Sequence, residues 1–286
     1  MIFEKIDWNE EWKDFFNTKK ETINVTNKQE TWNKRARRFN ESIKNGWNNL
    51  SDEDYITQIL RKVDVDKDDS VLDIGSGPGT LAIPFAKKVK SVTALDVSIE
   101  MLNLLKENAL AEGLNNIKYI NSAWEDVDVG KNIERHDVVI ASRSLIPYDL
   151  KKELTKVDKI AKKAVYLIYP TKDGHSYDKK LCAFLGKDYN SIKSTNFPGF
   201  IYVYNLLYQM EIDANAEFLN CKRVAYFKDT DDAISDFEWR IGQFTQDEKE
   251  RVKLFLDNEL IEKDGIVRFK DESKTKWVVI WWKKEE

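Results

Sequence analysis

Two carboxylates and three glycines carry the first chemistry in the chain. The run Val71-Leu72-Asp73-Ile74-Gly75-Ser76-Gly77-Pro78-Gly79-Thr80 ends an apolar stretch in an acid and then turns through glycines at 75, 77 and 79. A second apolar stretch, Ser91-Val92-Thr93-Ala94-Leu95-Asp96, ends in a second acid. Glycine takes away the Cβ atoms that would hold a ligand off the loop and permits positive φ where the chain turns sharply. A nucleoside-like ligand can therefore lie on the turn. Glycine-rich turns of this kind also cradle dinucleotide pyrophosphates and nucleotide phosphates, but the spacing here is GxGxG, and no Lys-Ser/Thr pair follows. Asp73 would repel a phosphate and suits a cation, such as an ammonium near a sulfonium. Asp96 can accept hydrogen bonds from both hydroxyls of a ribose.

The elements that must position these residues alternate regularly. Apolar runs and helical periodicity predict a strand at 70–74, a helix at 79–88, a strand at 91–96, a helix at 98–112, strands at 117–121 and 137–141, a helix at 149–161 and a strand at 164–169. Such alternation specifies a parallel sheet with right-handed crossovers, and its ligand cleft opens at the carboxyl ends of the strands. Both acids fall at those ends. Taken singly, Asp73 also reads as a helix cap, Asp96 as a turn acid and Met101 as ordinary core.

In order and spacing these residues resemble the class I S-adenosylmethionine-dependent methyltransferases, of the small-molecule type that includes the ubiquinone and menaquinone enzymes. The segment 73–80 is similar to the first motif of that family, and Asp96-Val97-Ser98-Ile99-Glu100-Met101-Leu102 to its ribose-binding acid and following helix. The resemblance implies S-adenosyl-L-methionine as cofactor and S-adenosyl-L-homocysteine as product. It implies that Asp73, Gly75, Ser76, Gly77, Gly79 and Thr80 hold the methionine half, Asp96 with Val97 and Ser98 the ribose, and Met101 one face of the adenine. Ser122 stands where the family has an acid at the adenine edge, so Glu125 or Asp126 is left to supply that contact, with Ala123 and Trp124 as neighbours. Ser142, at the end of the fourth strand, would approach the methionyl group. No Asn/Asp-Pro-Pro-Tyr/Phe follows that strand, which argues against exocyclic base nitrogens and glutamine as acceptors. The implied fold is α/β and doubly wound, with a mostly parallel seven-stranded sheet whose last strand enters antiparallel.

Arg143 follows directly, beside the expected methyl donor. It reads either as a salt-bridge partner or as a fork for a carboxylate or phenolate on the acceptor. Of the two histidines, His136 precedes the fourth strand, on the side away from the cleft, whereas His175 follows the fifth strand on the cleft side and reads as a surface residue or a base. Residues 1–66 read as a helical cap or lid and 67–286 as the methyltransferase core. Trp32, Ala36, Phe39 and Ile43 make one apolar helix face, and Trp32 and Arg35 are the residues that would close over the cofactor unless Trp32 only packs the helix down. An insertion at about 171–215, holding the aromatic run 200–208 with Tyr204, would form part of the acceptor pocket or pack as core. A strand at 217–227, helices at 231–240 and 245–260, and a hairpin of 266–270 with 276–283 complete the reading.

Composition narrows the classes. The 286 residues are 42% hydrophobic, enough for a large core, and 34% charged with a net charge of −4, which gives no field to draw nucleic acid broadly. The basic stretch 34–38 reads as a solvated helix face before it reads as a nucleic-acid contact. No apolar run approaches the roughly 20 residues of a membrane helix, and the acid-containing start is unlike a signal peptide, so a cytoplasmic location without membrane insertion is expected. Two distant cysteines and two histidines suggest neither a disulfide framework nor a metal site. The expected activity is methyl transfer to a small molecule by in-line displacement. The other readings are a cofactor-binding protein of the same fold without transfer activity, or a methyltransferase acting on RNA or protein. The residues select neither an acceptor nor an oligomeric state.

Overall fold

Three helices precede the first strand: α1 (Trp8–Thr18), α2 (Lys28–Trp47) and α3 (Tyr55–Lys62), the last capped by the Asp54 side chain, which accepts from the Ile56 N–H. Alternation then begins with β1 (Ser70–Ile74), α4 (Ala82–Ala86), β2 (Ser91–Asp96), α5 (Ile99–Ala111), β3 (Ile117–Asn121), β4 (His136–Ser142), α6 (Leu150–Ile160) and β5 (Ala161–His175). Helices α7 (Ser176–Leu185), α8 (Tyr189–Lys193) and α9 (Phe200–Gln209) lead to β6 (Asn215–Arg223) and β7 (Tyr226–Phe227). Then come α10 (Thr230–Ile241), α11 (Gln246–Glu259), β8 (Leu260–Lys263), β9 (Ile266–Phe269) and β10 (Ser273–Lys283). The computed structural model describes residues 5–18, 28–47, 50–193, 198–263 and 266–284.

Seven strands form one sheet in the order β3-β2-β1-β4-β5-β10-β6, with β10 antiparallel to both of its neighbours. The period of two along each strand divides the core between the faces. Leu72, Leu95, Val139, Leu167 and Ile280 pack against α1, α6 and α9, while Val71, Ala94, Ile140, Ile168 and Val279 pack against α3, α4 and α5. A second sheet, β7-β9-β8, joins α7, α8, α10 and α11 around a separate core that includes Tyr177, Leu181, Phe237, Leu256 and Phe269.

Four elements depart from the sequence reading. The helix expected at 79–88 shrinks to Ala82–Ala86, because Pro84 has no N–H and is tolerated only in a first turn. The strand expected to stop at Tyr169 runs on to His175, since a register shift opposite Thr275/Trp277 lets β10 pair on past Pro170. The expected strand at 217–227 splits between the two sheets. The expected hairpin of 266–270 with 276–283 does not form, as β9 pairs with β7 and β8 while β10 lies between β5 and β6. Val278, Val279 and Ile280 are apolar toward both faces, and a strand buried on both sides needs helices above and below it. Only the large sheet offers that.

Candidate methyl-donor and acceptor site

Parallel register brings the carboxyl ends of β1, β2 and β4 together, since Asp73 lies opposite both Ala94 and Ile140. The turn after β1 is tied to the β2 end: the N–H groups of Gly75 and Ser76 both donate to the Leu95 carbonyl, and Gly77 N–H donates to Asp96 Oδ2 at 2.8 Å. Ser98 N–H donates to Asp96 Oδ1, also at 2.8 Å. Each Asp96 oxygen keeps a lone pair free for a further donor. The side chain is nearly buried, and burial raises its pKa while the Ser98 and Gly77 N–H groups oppose the rise.

Asp73 is 2% exposed. Burial and the neighbouring Asp96 charge push its pKa up to about 7, against the Ala82 N–H, which favours the anion. Among the described residues no cation is paired with it. Within the turn, Ser76 Oγ is buried with no hydrogen-bond partner among the described residues. The glycines serve packing as well as access. At Gly75, with φ +72°, an added Cβ would overlap Ser144 Cβ, and at Gly79, with φ +98°, it would come within 2.7 Å of Ile83. The Ser144 hydroxyl donates to the Ile74 carbonyl and fills the space next to the turn.

Helix α2 crosses this end of the sheet. Lys28 pairs with Glu125 at 3.3 Å, Ser98 Oγ donates to Asn33 Oδ1 at 2.6 Å, Phe39 lies 3.6 Å from where a Gly77 Cβ would stand, and Asn108 donates to Asn40 at 2.7 Å. Thus Phe39, read from the sequence only as part of an apolar helix face, and Asn33 and Asn40, not singled out there, lie toward the turn. Trp32 and Arg35 do not. Trp32 sits between Phe39 and Trp239, and Arg35 stacks on Trp239 at 4.0 Å, with burial and two neighbouring arginines lowering its pKa to about 10. The basic stretch is likewise only partly solvated: Arg38 pairs with Asp232 at 2.5 Å and Asp236 at 3.2 Å, and Arg240 links Asp236 to Asp178.

Thr80, at the end of the glycine turn, lines a cavity of about 110 Å³ together with Tyr55, Arg143, His175, Cys221, Tyr226 and Trp277, among others. Its walls come from α2, α3 and the ends of β5, β6 and β10. No described residue of 176–215 lines it. Helices α7 and α8 are held in the small core, and α9 packs on α1 and α6, where Tyr204 donates to the Ala214 carbonyl at 3.0 Å. Tyr204 therefore stands apart from the cleft. His175 reaches it, with its ring 6.4 Å from Trp277. His136 lies at the opposite end of β4, its Nε2 bonded to Thr93 Oγ1 at 2.7 Å.

The remaining sequence candidates divide. Ser142 Oγ is 2.5 Å from the Tyr55 hydroxyl at the cleft. Met101 and Trp124 are buried; Trp124 lies in the core with Lys156 4.7 Å above its ring. Ser98 caps α5, Val97 and Ala123 are half-buried, Ser122 Oγ donates to the Ala123 carbonyl, and Glu125 is taken by Lys28. Asn121 ties the same region together by donating to the Asp96 and Val97 carbonyls. Tyr55 and Trp277 are the principal residues missed. Trp277 was within reach, because an antiparallel last strand begins at the cleft end of a parallel sheet. Tyr55 carried no local signal. Among the described residues no cluster of His, Cys, Asp or Glu is built to hold a metal, and no helix is long and apolar enough to cross a membrane.

The methyltransferase domain family matches residues 71–163. An uncharacterized protein of Haemophilus influenzae is 32% identical over 229 residues, 80% of this chain and 81% of its own length. A ribosomal RNA small subunit methyltransferase A from Desulforapulum autotrophicum is 27% identical over 109 residues, 38% of each chain. The fold is that of the YcgJ protein from Bacillus subtilis, at a TM-score of 0.51 and 15% identity, covering 81% of this chain and 98% of that one. A candidate methyltransferase from Bacillus halodurans C-125 superposes at the same TM-score and identity, covering 81% and 99%. With the matched domain spanning the very strands that bring Asp73, Asp96 and Ser142 together, the chain belongs to the class I S-adenosylmethionine-dependent methyltransferases.

Proposed function

We propose that the enzyme methylates a small molecule held in the cavity beside Arg143. The observation that carries this reading is the cavity itself, about 110 Å³ in size, walled by α2, α3 and the ends of β5, β6 and β10, with Thr80, the residue after Gly79, in its lining. When bound, S-adenosylmethionine supplies a methyl group already activated by a sulfonium. The residues of the chain bind and align. Asp73 offers a buried negative charge to the ammonium, Asp96 offers its free lone pairs to the ribose hydroxyls, and Ser76 Oγ has an unused hydrogen-bonding capacity facing the same turn. Alignment of an in-line displacement and exclusion of water are the main demands of such a reaction. Helix α2, laid over the turn, meets the second of them. If the acceptor carries a proton that must leave, His175 is the titratable side chain best placed in the cavity lining to receive it.

Against RNA as acceptor stand the ion pairs of Arg35 and Arg38 with α10, which take up two of the cations of the basic stretch. The RNA-modifying relative described above aligns with only 38% of this chain. Incubating the full chain with labelled donor, once with a low-molecular-weight cell extract and once with total RNA and protein, tests the reading. Label is expected in the small-molecule fraction. Label confined to RNA or protein would replace it.

A further inference from the structure

We propose that the acceptor carries a carboxylate and that Arg143 binds it; this rests on reading the cavity as the acceptor site. Arg143 has φ +62°, a left-handed conformation that costs a non-glycine residue of order 1 kcal/mol and persists only where the surroundings fix it. The fixing contact is the Arg143 N–H, which donates to the Ile168 carbonyl at 2.9 Å. The turn aims the side chain into the cavity.

Three rings surround the guanidinium, with centroids 4.9 Å away for Tyr55, 5.4 Å for Trp277 and 5.9 Å for Phe39. Rings stabilise the cation but accept none of its in-plane N–H groups well. Among the described residues the guanidinium has neither an ion pair nor a hydrogen bond. The acids that share the cavity wall do not fill the gap: Asp54 accepts from Ile56 N–H at 2.7 Å to cap α3, and Glu272 is exposed. Lys222, the other cation of the wall, already has Glu53 at 2.8 Å. A half-buried cation with free forked donors favours a planar anion that accepts two hydrogen bonds. A protonated amine would meet the same charge and be repelled.

Tyr55 makes the recognition directional. Its ring faces the guanidinium while its hydroxyl bonds Ser142 Oγ at 2.5 Å, so the fork is built on the same strand end that faces the donor turn. An acceptor anchored by its acid at Arg143 then extends toward Thr80 and the glycine turn.

The test separates the low-molecular-weight extract on an anion exchanger at neutral pH and offers retained and unretained fractions, with labelled donor, to the full enzyme. Label is expected in the retained, anionic fraction. Arg143→Met should cut transfer at limiting acceptor by about ten- to a hundredfold, the loss of one charge-assisted pair, while calorimetric affinity for S-adenosylmethionine stays within about twofold of wild type. Arg143→Lys, which keeps the charge without the fork, should recover part of the rate. Methylation confined to the unretained fraction overturns the proposal, as does wild-type transfer by Arg143→Met. Loss of donor binding in both variants would make Arg143 a structural residue and overturn it too. Label only in macromolecules is a distinct result, because it removes the small-molecule reading beneath.

Discussion

Asp73 is the residue whose environment says most about its use. Its pKa rises from 3.8 to about 7 because burial and Asp96 both disfavour the anion. The unfolded chain releases this proton near pH 4 and the folded protein holds it until about pH 7, so folding binds a proton across that window. Stability of the free protein therefore falls as pH rises from about 4 to 7, and the full loss is present above 7. Asp73→Asn removes the penalty. In the absence of cofactor the variant should be more stable than wild type at pH 8, by up to about 4 kcal/mol at roughly 1.4 kcal/mol per unit, with little difference at pH 4. Thermal unfolding at the two pH values checks this. A gap that does not widen with pH would mean that Asp73 is already neutralised by the protein. The same carboxylate must ionise to meet an ammonium, so cofactor affinity should rise as pH passes 7 in wild type and be weak and flat in the variant. Asp96 acts differently, because its two oxygens hold Gly77 and Ser98 as well as facing the turn. Asp96→Ala should weaken S-adenosylmethionine binding at least tenfold, as expected for charge-assisted bonds worth about 1.5–3 kcal/mol each, and isothermal titration of the folded variant measures it.

Helix α2 links the donor turn to the smaller unit. One side meets the turn through Asn33, Phe39 and Asn40, and the other meets α10 through Arg35 and Arg38. Donor binding should therefore slow hydrogen exchange across residues 28–45, since a helix lying over the site is drawn from the less stable parts of a structure. Exchange unaltered by donor would dismiss α2 as a cover. Asp236 contacts Arg35, Arg38 and Arg240, so its removal takes the ion-pair partner from Arg35 and one of two partners from each of Arg38 and Arg240, which keep Asp232 and Asp178. Asp236→Ala should lower unfolding free energy by about 1.5–3 kcal/mol and speed exchange in the same segment. A purely local loss, with α2 exchange untouched, would show that the ion pairs do not hold the helix.

Across the whole molecule two cores coexist, and each contains one free cysteine. Cys182 lies in the small core and Cys221 in the large one, both buried, and burial pushes the Cys221 thiol up to about 12. Thiolate is the reactive form, so a thiol reagent at pH 8 should find neither residue in the native protein and both in denaturant. Fast reaction of one in the absence of denaturant would mark its core as locally open. What the sequence determined by itself was the half of the molecule governed by local rules. Strand and helix alternation, the acids at strand tips and the glycine turn between them are all legible over a few residues, and the parallel sheet follows because short crossovers admit few topologies. Tertiary structure decided everything that depends on a distant partner. Residues 266–270 and 276–283 read locally as a hairpin, yet β10 is buried on both faces and had to enter the large sheet. Arg35 reads as a lid residue, yet Asp236, about 200 positions on, claims it. Tyr55 carries no motif and becomes part of the cleft only because α3 docks beside the end of β4 and its hydroxyl meets Ser142. Local sequence fixes periodicity and capping, whereas the pairing of charges and rings across long loops depends on which surfaces are left to be covered once the sheet has formed.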